Sequence, residues 1–261
     1  MLSVGFLGFG NMAKAIYRGI KIDNPNQLIY LYDINAEQYK NCTNDHVCNN
    51  VNEFCEAADI IFLCVKPSIL PNICKEITVN DKAFVSIAAG TAQEYLNAIL
   101  PETSRVVRIM PNTPLMVNKG MVCIQTPNSL NKTEEKFITE LFSRIGKVIK
   151  INGKDMDIVT GISGSGPAYV YLFIEAMIIS AVNNGISKES AKELVLQTFE
   201  GACEMLRHTG KSPAQLIKDV CSPNGTTLAA IEVLKKYNIP NIIEQAVEAA
   251  AKRSKEISQT L

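Results

Sequence analysis

The sequence carries no excess charge of either sign: 26 Lys and Arg stand against 26 Asp and Glu. A nucleic-acid binder needs a basic footprint that displaces counterions from the phosphate backbone, so that class is set aside. Histidine is scarce, with only His46 and His208, far apart in the chain. The eight cysteines, at 42, 48, 55, 64, 74, 123, 203 and 221, include no C-x-x-C pair, and several lie inside apolar runs. That spacing suggests neither a zinc site nor a disulfide framework. No metal ligand is assigned, and the thiols are read as reduced and partly buried, in a cytoplasmic compartment.

Other absences are equally informative. No low-complexity linker or internal repeat interrupts the chain, and the N-terminus runs straight into MLSVGFLGFGNMAKAI without a basic leader. That opening is expected to be structure rather than a targeting segment. The most apolar stretch, Ala168 to Val182, falls short of the ~20 residues a spanning helix needs. It also carries Glu175 near its middle, so a buried helix is expected and no membrane.

What is present is an ordinary globular composition, 47% hydrophobic and 20% charged, in 261 residues, enough for two domains. LSVGFL, LIYLY, DIIFLCV, AFVSIAA and RVVRIM are near-continuous apolar runs, as in a parallel sheet covered on both faces. Helical spacing separates them, which argues an open α/β sheet. GMVCIQT and KVIKI extend that sheet around the helix NKTEEKFITELFSRI. After about residue 153 the β signal stops and every segment reads as helix. The expectation is a Rossmann-type dinucleotide-binding α/β domain over 1–153 and an all-helical domain over 154–261.

Gly8-Phe9-Gly10-Asn11-Met12-Ala13 follows the first strand and opens a helix with the spacing G-x-G-x-x-A. Gly8 permits the tight turn, Gly10 lets the backbone approach a pyrophosphate, and Ala13 keeps the helix close to the sheet. Alone the pattern is weak, but the strand, the helix and a second strand ending in Asp33 supply the context it demands. Asp33 stands where an acid grips the ribose hydroxyls of NADH and repels a 2′-phosphate. No Arg follows it, which favours NADH, while Lys14 and Lys40 leave NADPH open. A methyltransferase also uses a glycine loop, but it has no obvious use for a large helical appendage.

Between two helical patterns the chain spends six residues on Ser222-Pro223-Asn224-Gly225-Thr226-Thr227. Two readings are open. A hydroxyl simply caps the next helix, or the unpaired N–H groups of that helix bind an anion beside three hydroxyls.

VGFLGFGNMAKAI, LCVKP, SIAAGT, RIMPNTP, GISGSGPAYVY, SPAQL and SPNGTT occur in order. Together they closely resemble the pyrroline-5-carboxylate reductase family along essentially the whole chain. The resemblance implies reduction of 1-pyrroline-5-carboxylate to L-proline with NADH or NADPH. It also implies a helical domain that dimerises by interleaving long helices, with active sites that combine loops from both chains of a homodimer. Dimers of the family can assemble further into a ring. Residue by residue, Leu7, Gly8, Phe9, Gly10, Asn11 and Met12 match the family's phosphate loop and Asp33 its ribose position. Cys64, Val65, Lys66 and Pro67, with Ala88, Ala89 and Gly90, match its other cofactor-lining turns, and Ser222, Gly225, Thr226 and Thr227 its substrate loop. With such a substrate, the anion reading of the loop places the carboxylate on the helix N-terminus with Ser222 as a hydroxyl donor, and Thr227, the candidate catalytic residue, reaches the ring nitrogen. Asn112 is a candidate for positioning.

One position departs from the family pattern: Asn224 replaces a glycine, and Asn tolerates the left-handed conformation that the turn needs. Two rivals are weighed. One is another enzyme of this architecture, a β-hydroxyacid dehydrogenase or a broader imine reductase; the dehydrogenase would need a lysine in the helix from Pro167 to Asn183, which has none. A dinucleotide sensor without turnover would lack the substrate loop, which is intact in type.

Overall fold

The structure, a computed structural model, describes residues 2–40, 42 and 45–260. Its first part alternates β1 (Val4–Leu7), α1 (Asn11–Asp23), β2 (Ile29–Tyr32), β3 (His46–Val47), α2 (Val51–Ala57), β4 (Ile60–Leu63), α3 (Leu70–Cys74), β5 (Ala83–Ser86), α4 (Gln93–Ile99) and β6 (Arg105–Pro111). It then continues with β7 (Gly120–Thr126), α5 (Lys132–Ile145) and β8 (Gly146–Asn152). The eight strands form one sheet in the order β3-β2-β1-β4-β5-β6-β7-β8.

Strands β1 to β6 are mutually parallel. β7 pairs antiparallel with β6, and β8 follows β7 in parallel, so the last two strands run against the rest. The two strands extend the sheet as the sequence leads one to expect, with β7 reversed against β6, and the cause of the reversal is length. Only residues 112–119 join β6 to β7, through a 3-10 turn at Thr113–Val117, whereas a parallel crossover needs a dozen residues or more. The edge strand β3 is an addition to the expected set.

β1 and β4 are buried at every position because helices cover both faces of the sheet. On one face α1 and α5 bury Ile16, Ile138 and Phe142 against Phe6 and Phe62. On the other, α2, α3 and α4 bury Phe54, Leu70 and Leu96 against Leu7, Leu63 and Phe84. Phe6 stacks on Phe62 at 5.2 Å and Phe62 meets Phe142 edge-on at 6.2 Å. Full burial of each such ring contributes about 1.5–3 kcal/mol. This core makes the strand ends rigid enough to carry a site.

The helical part begins with α6 (Met156–Val159), which passes through a π turn at Thr160–Gly164 into α7 (Gly166–Asn183). α8 (Lys188–Thr209), α9 (Pro213–Val220), α10 (Thr226–Lys236) and α11 (Ile239–Gln259) follow. The chain forms two compact units, Met1–Pro167 with Val247–Leu261, and Ala168–Ala246. In the first, the end of α11 packs on the sheet domain, with Ser254 Oγ donating to Asp157 Oδ1 at 2.7 Å.

The apolar helix of the second unit, expected from the sequence to be buried within its domain or against a partner, is not buried within its own chain. No residue of α7 is buried within the chain, and Tyr171, Leu172 and Ile179 are exposed. The helical stretch Gly153–Asn183 is also longer than the run Ala168 to Val182. By length and composition alone it would reach across a bilayer. A helix apolar on all sides and bare within its own chain requires a partner surface.

α5 starts on a capping box in which Asn131 and Glu134 satisfy each other's backbone N–H groups. The same Glu134 carboxylate accepts Arg105 Nε at 2.9 and 3.0 Å, joining α5 to β6. Glu134→Ala removes the reciprocal half of the capping box, the bond to Asn131 N–H, and leaves Arg105 without its carboxylate partner, which costs about 1–3 kcal/mol. A lower thermal midpoint with unchanged far-UV circular dichroism is expected; an unchanged midpoint would show the pair to be dispensable.

Candidate active site

The parallel strands β1, β2, β4 and β5 end together, and their C-terminal edge carries the loops that the sequence singled out. Gly8 leaves β1 with φ 88° while its N–H donates to Tyr32 O at 2.8 Å. A side chain there would strike Val65 Cγ1 and the Cys64 carbonyl, so the two loops lie in contact. Gly10 then caps α1 with its backbone alone, and no side chain satisfies the first N–H groups of that helix. A Cβ on Gly10 would meet nothing within 4 Å. Open space in front of bare helix N–H groups fits a pyrophosphate.

A cleft of about 300 Å³ opens there, lined by Gly8, Gly10, Asp33, Cys64, Val65 and Lys66 from the expected set. Tyr32, Ile34, Ile69 and Ile73 also line it. These four were not assigned from the sequence. Ile34, directly after the acid, and Ile69 are exposed, forming an apolar lip that is visible only in the folded chain. Burial pushes the Cys64 thiol above its ordinary pKa, so it lines the cleft as a neutral group. Asn11 and Met12 form the first turn of α1, and Pro67 opens the 3-10 turn beside the cleft.

Leu7 and Phe9 act differently from their neighbours. Leu7 is wholly buried in the core and its carbonyl accepts Cys64 N–H at 2.8 Å. Phe9 is buried against Phe6 and Tyr17, and its N–H donates to Asp33 Oδ2 at 2.7 Å. Asp33 Oδ1 in turn accepts Asn35 N–H at 2.8 Å. Lys14 is engaged by Gln38 Oε1 at 2.7 Å and Lys40 by Glu37.

Ala88, Ala89 and Gly90 lie in the turn after β5, outside the set that lines the cleft. Thr91 Oγ1 closes the turn by donating to Ala88 O at 2.6 Å. Gly90 has φ 68°, and a Cβ there would meet Ile257 Cβ and Ser254 O, each at 2.7 Å. The last turns of α11 therefore back this loop. Nearby on β6, burial lowers the pKa of Arg108, opposed by the charges of Asp157 and Glu94. Asn112 accepts Met121 N–H at 2.8 Å and donates to Ser163 O at 3.2 Å, tying the start of β7 to the π turn.

In the second unit, Ser222 to Gly225 form a turn closed by Gly225 N–H on Ser222 O at 3.0 Å. Asn224 sits at its left-handed position with φ 59°, as its side chain allows. Thr226 and Thr227 begin α10, which Gly225 caps without any side-chain hydrogen bond. None of the three hydroxyls caps the helix, so the bland reading of the loop is not realised. Ser222 and Thr226 are exposed and Thr227 is half-buried.

A family profile described as pyrroline-5-carboxylate reductase dimerisation matches residues 153–257, and one described as NADP oxidoreductase coenzyme F420-dependent matches residues 3–90. The chain is similar to pyrroline-5-carboxylate reductase of Corynebacterium melassecola, 36% identical over 99% of this chain and 100% of the relative. The Haemophilus influenzae enzyme of that name is 34% identical, covering 97% of each. Among solved structures, pyrroline carboxylate reductase of Plasmodium falciparum with NADP bound superposes with a TM-score of 0.91. Identity is 34%, over 98% of both chains.

The two glycines of the loop predict opposite outcomes for substitution. Gly10→Val fills open space, so the thermal midpoint is retained while dinucleotide affinity falls about tenfold or more, roughly 1.4 kcal/mol. Gly8→Ala strains a positive φ against Val65, so stability itself falls. Calorimetric titration beside thermal melting separates the two; full affinity in Gly10→Val would remove the pyrophosphate from this loop.

Proposed function

The chain belongs to the pyrroline-5-carboxylate reductase family, and from that premise we propose how its residues divide the work. It is an NAD(P)H-dependent oxidoreductase that reduces 1-pyrroline-5-carboxylate to L-proline, the final step of proline biosynthesis. Bound in the cleft at the ends of β1, β2 and β4, the reduced nicotinamide supplies the hydride for the ring C=N. The N–H groups at the start of α1 and Gly10 hold its pyrophosphate, with Cys64 to Pro67 as the facing wall, and Ala88 to Gly90, outside the cleft lining, are assigned to the cofactor by the family match alone. The acid at Asp33 favours NADH over NADPH. Support comes from its place at the β2 end and from Lys14 and Lys40, both already engaged by Gln38 and Glu37.

The substrate half is the loop before α10. The single observation that carries it is the bare start of that helix despite three neighbouring hydroxyls. Its free N–H groups, from Thr226 onward, hold the substrate carboxylate, and Ser222 adds a hydroxyl donor. Thr227 orients the ring nitrogen. A threonine hydroxyl is a poor acid at neutral pH, so the nitrogen is bound protonated or receives its proton through water.

The helical part is a dimerisation domain, and the protein is an oligomer. The homodimer as the unit, and a ring of such dimers, belong to the proposal. Their support is the exposed apolar surface of α7, where Leu172 is 66% accessible in the single chain. A functional division at 153/154 rests on the dimerisation profile beginning at residue 153. A reducing, cytoplasmic location rests on the buried free thiols of Cys48, Cys55, Cys74 and Cys123.

The test is loss of reduced-nicotinamide absorbance with 1-pyrroline-5-carboxylate, using NADH and NADPH in parallel. Turnover favouring NADH is expected, and Thr227→Ala should lower kcat by more than about tenfold, roughly 1.4 kcal/mol of barrier. A smaller loss would remove Thr227 from the reaction centre. Leu172→Glu should shift the protein to a monomer in sedimentation velocity; an unchanged particle would exclude α7 from the interface.

A further inference from the structure

We propose that Asp33 is a positioning residue for the phosphate-binding loop, so that it holds affinity for NADH and NADPH alike rather than only choosing between them. The proposal rests on the reading that the cleft takes a reduced nicotinamide dinucleotide.

The loop has reason to need a latch. Phe9 lies between two glycines, the residues with most backbone freedom to lose on ordering. Its side chain is anchored in the core, but that leaves its peptide N–H to be satisfied at the edge of the sheet. Asp33 Oδ2 accepts that N–H at 2.7 Å, a charge-assisted bond of the short, strong kind. Asp33 Oδ1 accepts Asn35 N–H at 2.8 Å, and the Asn35 side chain accepts Glu37 N–H at 3.1 Å at the start of the 3-10 turn Ala36–Tyr39. Tyr39 Oη donates to Asp33 O at 3.2 Å, and Lys14 on α1 reaches Gln38. The end of β2, the glycine loop and the first turns of α1 thus form one hydrogen-bonded network with Asp33 at its centre.

Each carboxylate oxygen can accept more than one hydrogen bond, so the latch and a ribose contact are compatible. The two roles nonetheless predict opposite signs. If Asp33 only selects against the 2′-phosphate, removing its charge tightens NADPH. If it also latches the loop, removal frees Phe9 N–H, loosens the pyrophosphate cradle and weakens both cofactors.

The experiment is direct titration of NADH and NADPH into the full-length oligomer, wild type against Asp33→Ala and Asp33→Asn, with thermal melting alongside. Asp33→Ala should raise the Kd for both cofactors by about tenfold or more, roughly 1.4 kcal/mol each. Asp33→Asn loses the charge but keeps one acceptor oxygen for Phe9 N–H, so it should bind NADPH more tightly than Asp33→Ala does. At saturating cofactor, the KM for 1-pyrroline-5-carboxylate should stay at the wild-type value. NADPH binding as tight as wild type, or tighter, in Asp33→Ala would overturn the latch; if Asp33→Ala fails to fold, Asp33→Val, which likewise has no acceptor for Phe9 N–H, is read in the same way. Wild-type protein that binds neither cofactor would instead overturn the dinucleotide reading, and the latch with it.

Discussion

The candidate chemistry depends on two helices, α1 and α10, that each start at a glycine without a side-chain cap. A helix leaves its first N–H groups without internal partners, and a buried or half-buried start normally acquires a cap. α5 and α8 follow that rule through Asn131 and Ser187. α1 and α10 do not: each begins at a glycine, Gly10 and Gly225, with no side-chain bond to its free donors. One faces the cleft at the sheet edge, and the other carries the hydroxyl loop. Donors left unsatisfied by the protein are available to anions, and the family's cofactor and substrate each bring one.

Keeping such starts in place needs rigidity elsewhere. In the first unit it comes from a sheet buried on both faces, where the phenylalanines of β1 and β4 pack against helices from either side. Strands held this firmly deliver their C-terminal loops in a common plane, which is why ligands of open α/β sheets bind there. The antiparallel pair β7 and β8 extends the sheet without adding to this edge. Its contribution is indirect, through Asn112, which fastens the start of β7 to the π turn ahead of α7. π turns are energetically poor and concentrate where function requires them.

The same chain therefore contains regions with opposite needs. The sheet domain buries its own apolar core, with polar links such as Arg105 with Glu134 across it. The helical unit is not complete, because its most apolar helix has no buried residue within one chain. Burying such a surface against a partner ties the stability of this unit to assembly, as in obligate oligomers.

The sequence by itself determined everything that depends on neighbours along the chain. Strands followed from near-continuous apolar runs and helices from period-3.6 spacing. The glycine loop followed from G-x-G-x-x-A, and the turn at Asn224 from its tolerance of positive φ. The family followed from motifs that run the length of the chain. Contacts between distant residues were decided only in the tertiary structure. The reversed β7, the Asp33 bond to Phe9, the backing of Gly90 by Ile257 and the exposure of α7 are of this kind. Periodicity records which face of an element is apolar but not what covers it, and an acid at a strand end does not reveal which N–H it will meet. Those outcomes depend on loop length, close approach and three-dimensional neighbours, which no local pattern encodes.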